Sequence, residues 1–297
     1  MEIIAQYEKY SRKIIAMITD RETSFVYISD RLEAKYRDFY LRLTSEFNES
    51  KIPYAVLKGT ADIWAADYMP IQVNRKKFVQ FVYSPDYLIN YKKYRKLITK
   101  DETVRKNINL TTVPSDIIID GGNVVRGRSW VILTNKIFIE NEKNYTEKEL
   151  LRKLRNLFEV DKIIIIPADR EDIFGHADGM VRYFTDDTVL INEYPRTKDR
   201  EFQLNLRMYL QNAGLDYIEI SYNPYNNKKM IEAHGVYINF LQLENYILLP
   251  TFELKEDDKA VRLFEELFKG QRVRTIASRE ISKDGGVSNC ITWNIMV

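Results

Sequence analysis

A single cysteine and two histidines in a chain of 297 residues leave little room for several kinds of chemistry. One cysteine excludes an intramolecular disulfide framework. Cys290, His176 and His234 are the whole supply of thiol and imidazole, so few ligands remain for a zinc site. No Asp-rich loop suggests a carboxylate-only magnesium or calcium site. No apolar run approaches the length a membrane span requires. An excess of one charge is also missing: 45 Lys and Arg against 43 Asp and Glu leave a formal charge of +2. That near-balance gives no electrostatic reason to expect a nucleic acid or an anionic membrane as partner. Residues 1–20 mix Glu, Lys and Arg with apolar side chains and lack the basic-then-apolar layout of a secretion signal, so the expected location is cytoplasmic.

What is present is length enough for a substantial core, expected as a single domain over 1–297. Arg31 to Phe47 has apolar residues at helical spacing and predicts one amphipathic helix. Ile52 to Leu57 and Phe78 to Tyr83 read as strands. From there a loose unit recurs: a Gly, an alternating strand, a turn and a second apolar strand. It begins at Gly122 with Trp130 to Phe138, at Gly179 with Val189 onward, at Gly235 with Tyr246 to Leu249, and at Gly286. Helical segments Glu147 to Phe158, Glu201 to Ala213 and Asp257 to Phe268 lie between copies. Each leads into a β-run: Lys162 to Ile166, Tyr217 to Ile220 and Arg272 to Ile276. The glycine landmarks recur every fifty to sixty residues or roughly so, and about five units would account for the chain. Such a repeat suggests a closed ring of α/β modules with few exposed sheet edges. An ordinary α+β domain with coincidental spacing is the alternative.

Four segments place reactive groups at the starts of these hairpins: Asp62 to Pro70 (DIWAADYMP), Asp120 to Asn123 (DGGN), Gly175 to Gly179 (GHADG) and Asp284 to Cys290 (DGGVSNC). In a ring, equivalent loops converge on one end of the axis, so Asp67, His176, Asp178 and Cys290 would share a pocket. Each also has a plain structural explanation. A lone Cys beside an apolar strand is more often a small buried hydrophobe than a nucleophile. A His-x-Asp pair can be a local turn contact, the Gly-Gly pairs can be hairpin turns, and Trp64 can be core. His234 has no evident partner and reads as structural. Together, however, a thiol, an imidazole and two carboxylates form a set with chemical logic. A thiolate nucleophile needs help to form at neutral pH. Two carboxylates suit a planar cation with several N–H donors, and a guanidinium is such a cation.

These motifs, with Tyr237-Ile-Asn-Phe and the sequence onward from Gly285 through Thr292, resemble the agmatine deiminase and Porphyromonas-type peptidylarginine deiminase family, part of the guanidino-modifying pentein superfamily. The resemblance runs from about Thr23 to the C-terminus. It implies a five-bladed α/β propeller with pseudo-fivefold symmetry. It also implies roles: Cys290 as nucleophile, His176 as general acid/base, Asp67 and Asp178 as the carboxylates gripping the guanidinium, and Trp64 and Asn239 lining the substrate site. The implied activity is a cofactor-free deiminase converting a guanidino group to a ureido group with release of ammonia, through a covalent thiouronium on the cysteine. The substrate would be a small guanidino compound, agmatine or an arginine derivative, with peptidyl-arginine a further option. Amidino transfer, a dihydrolase reaction, or guanidino binding without catalysis are the other readings of the same scaffold. Three positions depart from the family pattern: Ala66 where Arg usually precedes the first Asp, Asn289 where the agmatine branch has His, and Asp120 where it has Glu.

Overall fold

A computed structural model describes residues 16–194, 199–225, 227–229 and 231–297. The reading of the first twenty residues as no secretion signal therefore lies largely outside the described residues. Among the described residues the strands form five separate three-stranded sheets. Four are built from consecutive strands: Ile71–Asn74, Lys77–Val82 and Val113–Ile118; Val125–Arg126, Trp130–Thr134 and Lys162–Ile166; Val181–Tyr183, Thr188–Asn192 and Asp216–Ile220; and Leu241–Leu243, Tyr246–Thr251 and Arg272–Ala277. In each, the first two strands pair antiparallel and the last two pair parallel. A parallel pair needs a crossover, and a helix supplies it.

The helix Glu147–Phe158 shows how one such crossover is built. Thr146 caps its start, accepting from the Glu149 N–H at 3.4 Å, while the Glu149 carboxylate accepts from the Thr146 N–H at 3.1 Å. Leu150, Leu154 and Phe158 fall on one face and are buried against strand Trp130–Thr134 and its neighbours. Complete burial of such side chains contributes about 2 kcal/mol each. Glu159 then takes a left-handed conformation, φ 58°, and ends the helix.

The fifth sheet closes the ring. Thr292–Ile295, near the C-terminus, pairs antiparallel with Phe25–Ser29, which pairs parallel with Tyr54–Leu57 after the helix Arg37–Glu49. The five sheets with fivefold-like repetition are the propeller that the resemblance implies. The innermost strand of each sheet carries a polar residue at a corresponding place: Gln72, Arg126, Arg182, Gln242 and Asn294. Asp20, in the N-terminal turn, ties several of these together. Its carboxylate pairs with Arg126, accepts from Arg182 Nη2 at 2.7 Å and from Asn294 Nδ2 at 3.3 Å. Burial alone would raise the Asp20 pKa, but Arg126 and Arg182 more than offset it and the group stays below its ordinary value.

Several boundaries shift by one or two residues, as in Tyr54–Leu57 and Lys77–Val82, and four elements differ more from the periodicity reading. The helix over Arg31 to Phe47 is broken at Tyr36 (φ −137°, ψ 64°) into Arg31–Lys35 and Arg37–Glu49. The Tyr36 hydroxyl donates to Asp284 Oδ2 at 2.7 Å, so the break serves a tertiary contact. The strand at Trp130 stops at Thr134, and Lys136–Asn141 is helical. After Gly235 the ladder begins only at Leu241, because residues before it are committed to the site described below. After Gly286 the strand likewise begins only at Thr292. His234 stacks edge-on against Phe252 at 5.3 Å, a packing role.

Candidate active site

The five innermost strands begin at one end of the ring, and the loop ahead of each carries a functional side chain. Asp67 precedes Ile71–Asn74, Asp120 precedes Val125–Arg126, His176 and Asp178 precede Val181–Tyr183, Asn239 precedes Leu241–Leu243, and Cys290 precedes Thr292–Ile295. All six are buried. Pseudo-symmetry thus converts residues far apart in sequence into neighbours.

Cys290 sits beside a carboxylate and two amides. Its Sγ lies 3.7 Å from Asp178 Oδ2 and 3.1 Å from Asn239 Nδ2. The same Asp178 oxygen accepts from Asn239 Nδ2 at 3.2 Å and from Asn289 Nδ2 at 2.7 Å. Asn239 Oδ1 accepts the backbone N–H groups of Val287 at 3.2 Å and Cys290 at 3.3 Å. Asn239 therefore fixes the thiol, the carboxylate and the loop that carries the thiol. Burial, then the negative charges of Asp178 and Asp67, push the Cys290 thiol pKa well above its usual value. In the ligand-free protein the sulfur holds its proton at neutral pH.

His176 stands between two further carboxylates. Its Nε2 is 3.1 Å from Asp120 Oδ2 and its Nδ1 is 3.7 Å from Asp67 Oδ1. Its backbone N–H donates to Asp172 Oδ2 at 3.3 Å. Burial by itself lowers the imidazole pKa, but the Asp67 charge and the bond to Asp120 more than reverse this and raise it to about 9. His176 is an imidazolium at neutral pH. Burial carries the Asp67 pKa up to about 7, with His176 pulling it back and Asp120 and Asp178 adding to the rise.

The Gly-Gly pair after Asp120 is required by close approach and is no mere turn. A Cβ at Gly121 would sit 1.9 Å from the Ala66 carbonyl oxygen. A Cβ at Gly122 would sit 2.6 Å from His176 Nδ1 and 2.7 Å from Asp67 Oδ1, and the Gly122 N–H donates to that oxygen at 2.9 Å. The backbone of Ala66 is used too: its N–H donates to the Cys290 carbonyl at 3.1 Å. Trp64 borders the sulfur from the other side, since a Cβ at Gly286 would meet the Trp64 ring at 2.8 Å and Cys290 Sγ at 2.9 Å.

A cavity of about 330 Å³ opens on Cys290, His176, Asp178 and Asn239. Its outer wall includes Asp169, Glu171, Asp172, Asp199 and Glu232, the lysines Lys228 and Lys229, and the rings of Tyr194, Tyr222 and Tyr225. Asp67 and Trp64 are set behind this lining. Among the described residues, no three His, Cys, Asp or Glu side chains are grouped to hold a metal ion. No helix among them is long and apolar enough to cross a membrane.

The structure brings together all six residues singled out in the sequence: Cys290, His176, Asp178, Asp67, Trp64 and Asn239. Two more belong with them. Asp120 and Asn289 lay in two of the four singled-out segments and departed from the family pattern without being given a role, yet one binds the imidazole and the other binds Asp178. Their signal was position: each lies in a loop that starts an innermost strand.

Comparison with known proteins agrees with this geometry. The Pseudomonas aeruginosa agmatine deiminase is 24% identical over 208 residues, which cover 60% of this chain and 56% of the relative's length. Among solved structures, a C. jejuni agmatine deiminase variant with substrate bound superposes with TM-score 0.76 at 16% identity, over 95% of this chain and 96% of that one. A structure described as the putative arginine deiminase of Porphyromonas gingivalis gives TM-score 0.74 at 15% identity, over 94% and 97% of the two chains. At these identities the likeness shows a shared fold, the pentein propeller. The sequence pattern of the Porphyromonas-type peptidyl-arginine deiminases matches residues 2–295. With sheets, site loops and sequence pattern in agreement over nearly its whole length, the chain belongs to the Porphyromonas-type peptidyl-arginine deiminase family.

Proposed function

We propose that this chain is a deiminase that hydrolyses the guanidino group of a small cationic substrate, using Cys290 as nucleophile. The observation that carries this reading is the meeting of Cys290 Sγ with Asp178 Oδ2 at 3.7 Å in a cavity that also holds the His176 imidazolium. A guanidinium is a planar cation that bridges carboxylates through paired N–H donors. All three side-chain contacts of Asp178 converge on Oδ2, which leaves Oδ1 for such a donor.

The electrostatics give an order of events. Without ligand the thiol is neutral, because a thiolate beside Asp178 and Asp67 is disfavoured. A bound guanidinium cancels that repulsion, so the thiol loses its proton only when substrate is present. The thiolate attacks the central carbon and the C=N electrons move to nitrogen, giving a neutral tetrahedral adduct. His176, charged at neutral pH, protonates one NH₂ group; the C–N bond breaks, ammonia departs and a cationic thiouronium remains. The now neutral imidazole takes a proton from water, and the hydroxide adds to the carbon. Collapse expels the thiolate and forms the ureido carbonyl; the hydroxyl proton leaves to ammonia or solvent. Asp67 and Asp120 hold the imidazole in place at both ring nitrogens, and Asn239 holds the nucleophile.

Among the described residues the outer wall carries five acids against two lysines, which favours a substrate tail with positive charge. An agmatine-like substrate fits this better than the carboxylate of free arginine. The test is an ammonia-release screen across agmatine, arginine, peptidyl-arginine and simple guanidines, with Cys290→Ala as control. One ammonia and one ureido product per turnover, absent in the variant, is the expected result. Ammonia release that persists in folded Cys290→Ala rejects the nucleophile. Two ammonia equivalents, or transfer to an added amine, would replace the deiminase reading with a dihydrolase or an amidinotransferase.

A further inference from the structure

We propose that Lys136, which does not line the cavity, is a positioning residue that holds Asp120 and the His176 loop and sets how readily the imidazole gives up its proton. Lys136 opens the short helix Lys136–Asn141, and its side chain is only 11% exposed. An ammonium is costly to bury unless its donors are paired. Nζ donates to the Phe174 carbonyl at 2.9 Å, two residues before His176 in the same loop. It pairs with Asp86 Oδ1 at 3.0 Å and lies 3.8 Å from Asp120 Oδ2. That Asp120 oxygen is the one bound to His176 Nε2. Cation and imidazole thus share one carboxylate oxygen. The lysine stem passes close to Gly175, where a Cβ would lie 3.4 Å from Lys136 Cδ.

The charged groups around the pair fix the sign of the effect. Lys136 faces Asp86, Asp120 and Glu140, with the Tyr87 ring 5.3 Å from Nζ. Glu140 Oε1 is 3.2 Å away but not aligned for a hydrogen bond. Burial raises the Glu140 pKa to about 7 against the pull of Lys136, so Glu140 is ionised above neutral pH. His176 faces Asp67 and Asp120 at its ring nitrogens, Asp172 at its backbone, and Asp178 and Cys290 across the cavity; Tyr87 packs on its ring, 6.3 Å away. Against these acids, Lys136 is the positive charge that restrains the proton affinity of the imidazole. Removing it makes His176 a weaker acid, and a weaker acid protonates the departing nitrogen more slowly.

The contacts through Asp120 place Nζ within about 7 Å of Nε2, where a unit charge at an effective dielectric near 20 shifts a titration by about 1.7 pH units. The catalytic consequence rests on the deiminase reading; the coupling between charges does not. The experiment is an NMR titration of the imidazole signals in the full chain. It is tractable because the chain has two histidines, and His234 serves as reference. In Lys136→Met the His176 midpoint should rise by about 1.7 pH units from its value of about 9, with His234 unmoved, while Lys136→Arg keeps it near wild type. In parallel, kcat should fall with KM little changed, and the alkaline limb of the rate profile should move upward. A folded Lys136→Met protein with an unmoved His176 midpoint overturns the proposal. Should Lys136→Met fail to fold, Glu140→Gln decides: a midpoint that falls supports the coupling and one that stays overturns it. An inactive wild-type chain whose His176 still responds to these changes leaves the coupling standing and refutes the deiminase reading instead.

Discussion

A methyl group at position 122 would enter a gap between His176 and Asp67 that is too narrow for it. Gly122 does not use a left-handed backbone, so alanine can adopt its conformation and the perturbation is purely one of space. The added Cβ would lie 2.6 Å from His176 Nδ1 and 2.7 Å from Asp67 Oδ1. Ordinary contact begins near 3.4 Å, so the imidazole must retreat by about 0.8 Å or the loop must lift. The bond from the Gly122 N–H to Asp67 would be strained by the same movement. A misplacement on the order of 1 Å at a reacting group costs on the order of 10²-fold in rate. The overpacking itself costs about 1–3 kcal/mol of stability. Gly122→Ala should therefore release ammonia from agmatine about 10²-fold more slowly while unfolding only several degrees earlier by calorimetry. Gly270→Ala is the control, since a Cβ there meets no heavy atom within 4 Å. A Gly122→Ala protein with wild-type turnover would refute the assignment of His176 and Asp67 as a tightly held pair in the reaction.

Asp178→Asn should act in two directions at once. Replacing a charged acceptor with a neutral one should weaken guanidino binding about tenfold or more by calorimetry. The thiol pKa, held up by burial first and the Asp178 charge second, should fall, so neutral iodoacetamide should alkylate Cys290 faster at fixed pH. Unchanged affinity rejects the cation clamp, and unchanged alkylation rejects the charge coupling. Asp20→Ala should lower stability by about 3 kcal/mol near neutral pH, because it leaves Arg126 and Arg182 in the ring without their shared carboxylate. Asp20 has a depressed pKa in the folded chain, so its contribution is present above the ordinary carboxylate range and is lost as pH falls through the folded value. Urea denaturation of wild type and variant should converge at acid pH; a gap that persists there refutes this account.

The parts of the fold that were legible in the sequence are those whose burial is one-sided and local. Glu147–Phe158 carries its cap, its apolar stripe and its stop within one stretch, and Lys162–Ile166 is a lysine followed by four β-branched isoleucines. Both match the structure residue for residue. The break at Tyr36 was hidden because one non-helical residue barely disturbs an apolar stripe, and its cause, the bond to Asp284, lies 248 residues away. The strand expected from Val236 failed for a different reason. Tyr237, Ile238 and Phe240 are buried and look like a ladder, but Asn239 between them turns its amide to Cys290 and its carbonyl accepts from Asn289 at 3.1 Å. Site residues were readable where a glycine or a repeated loop position marked them. Lys136 had no such mark: it fell inside the strand expected over Trp130 to Phe138, where a lysine looks like an alternating solvent-facing residue until the fold turns it inward.

Asp20 gives the ring a stopper. It spans residues of several innermost strands beyond their beginnings, while Cys290 and His176 stand where those strands start. Among the described residues the Asp20 cluster thus fills the ring on that side, and the cavity lies on the side of Cys290 and His176. On the proposed mechanism, ammonia would leave and the hydrolytic water would enter through that cavity, past the tail of the bound molecule. Bulky tails should therefore slow the release of the thiouronium more than its formation.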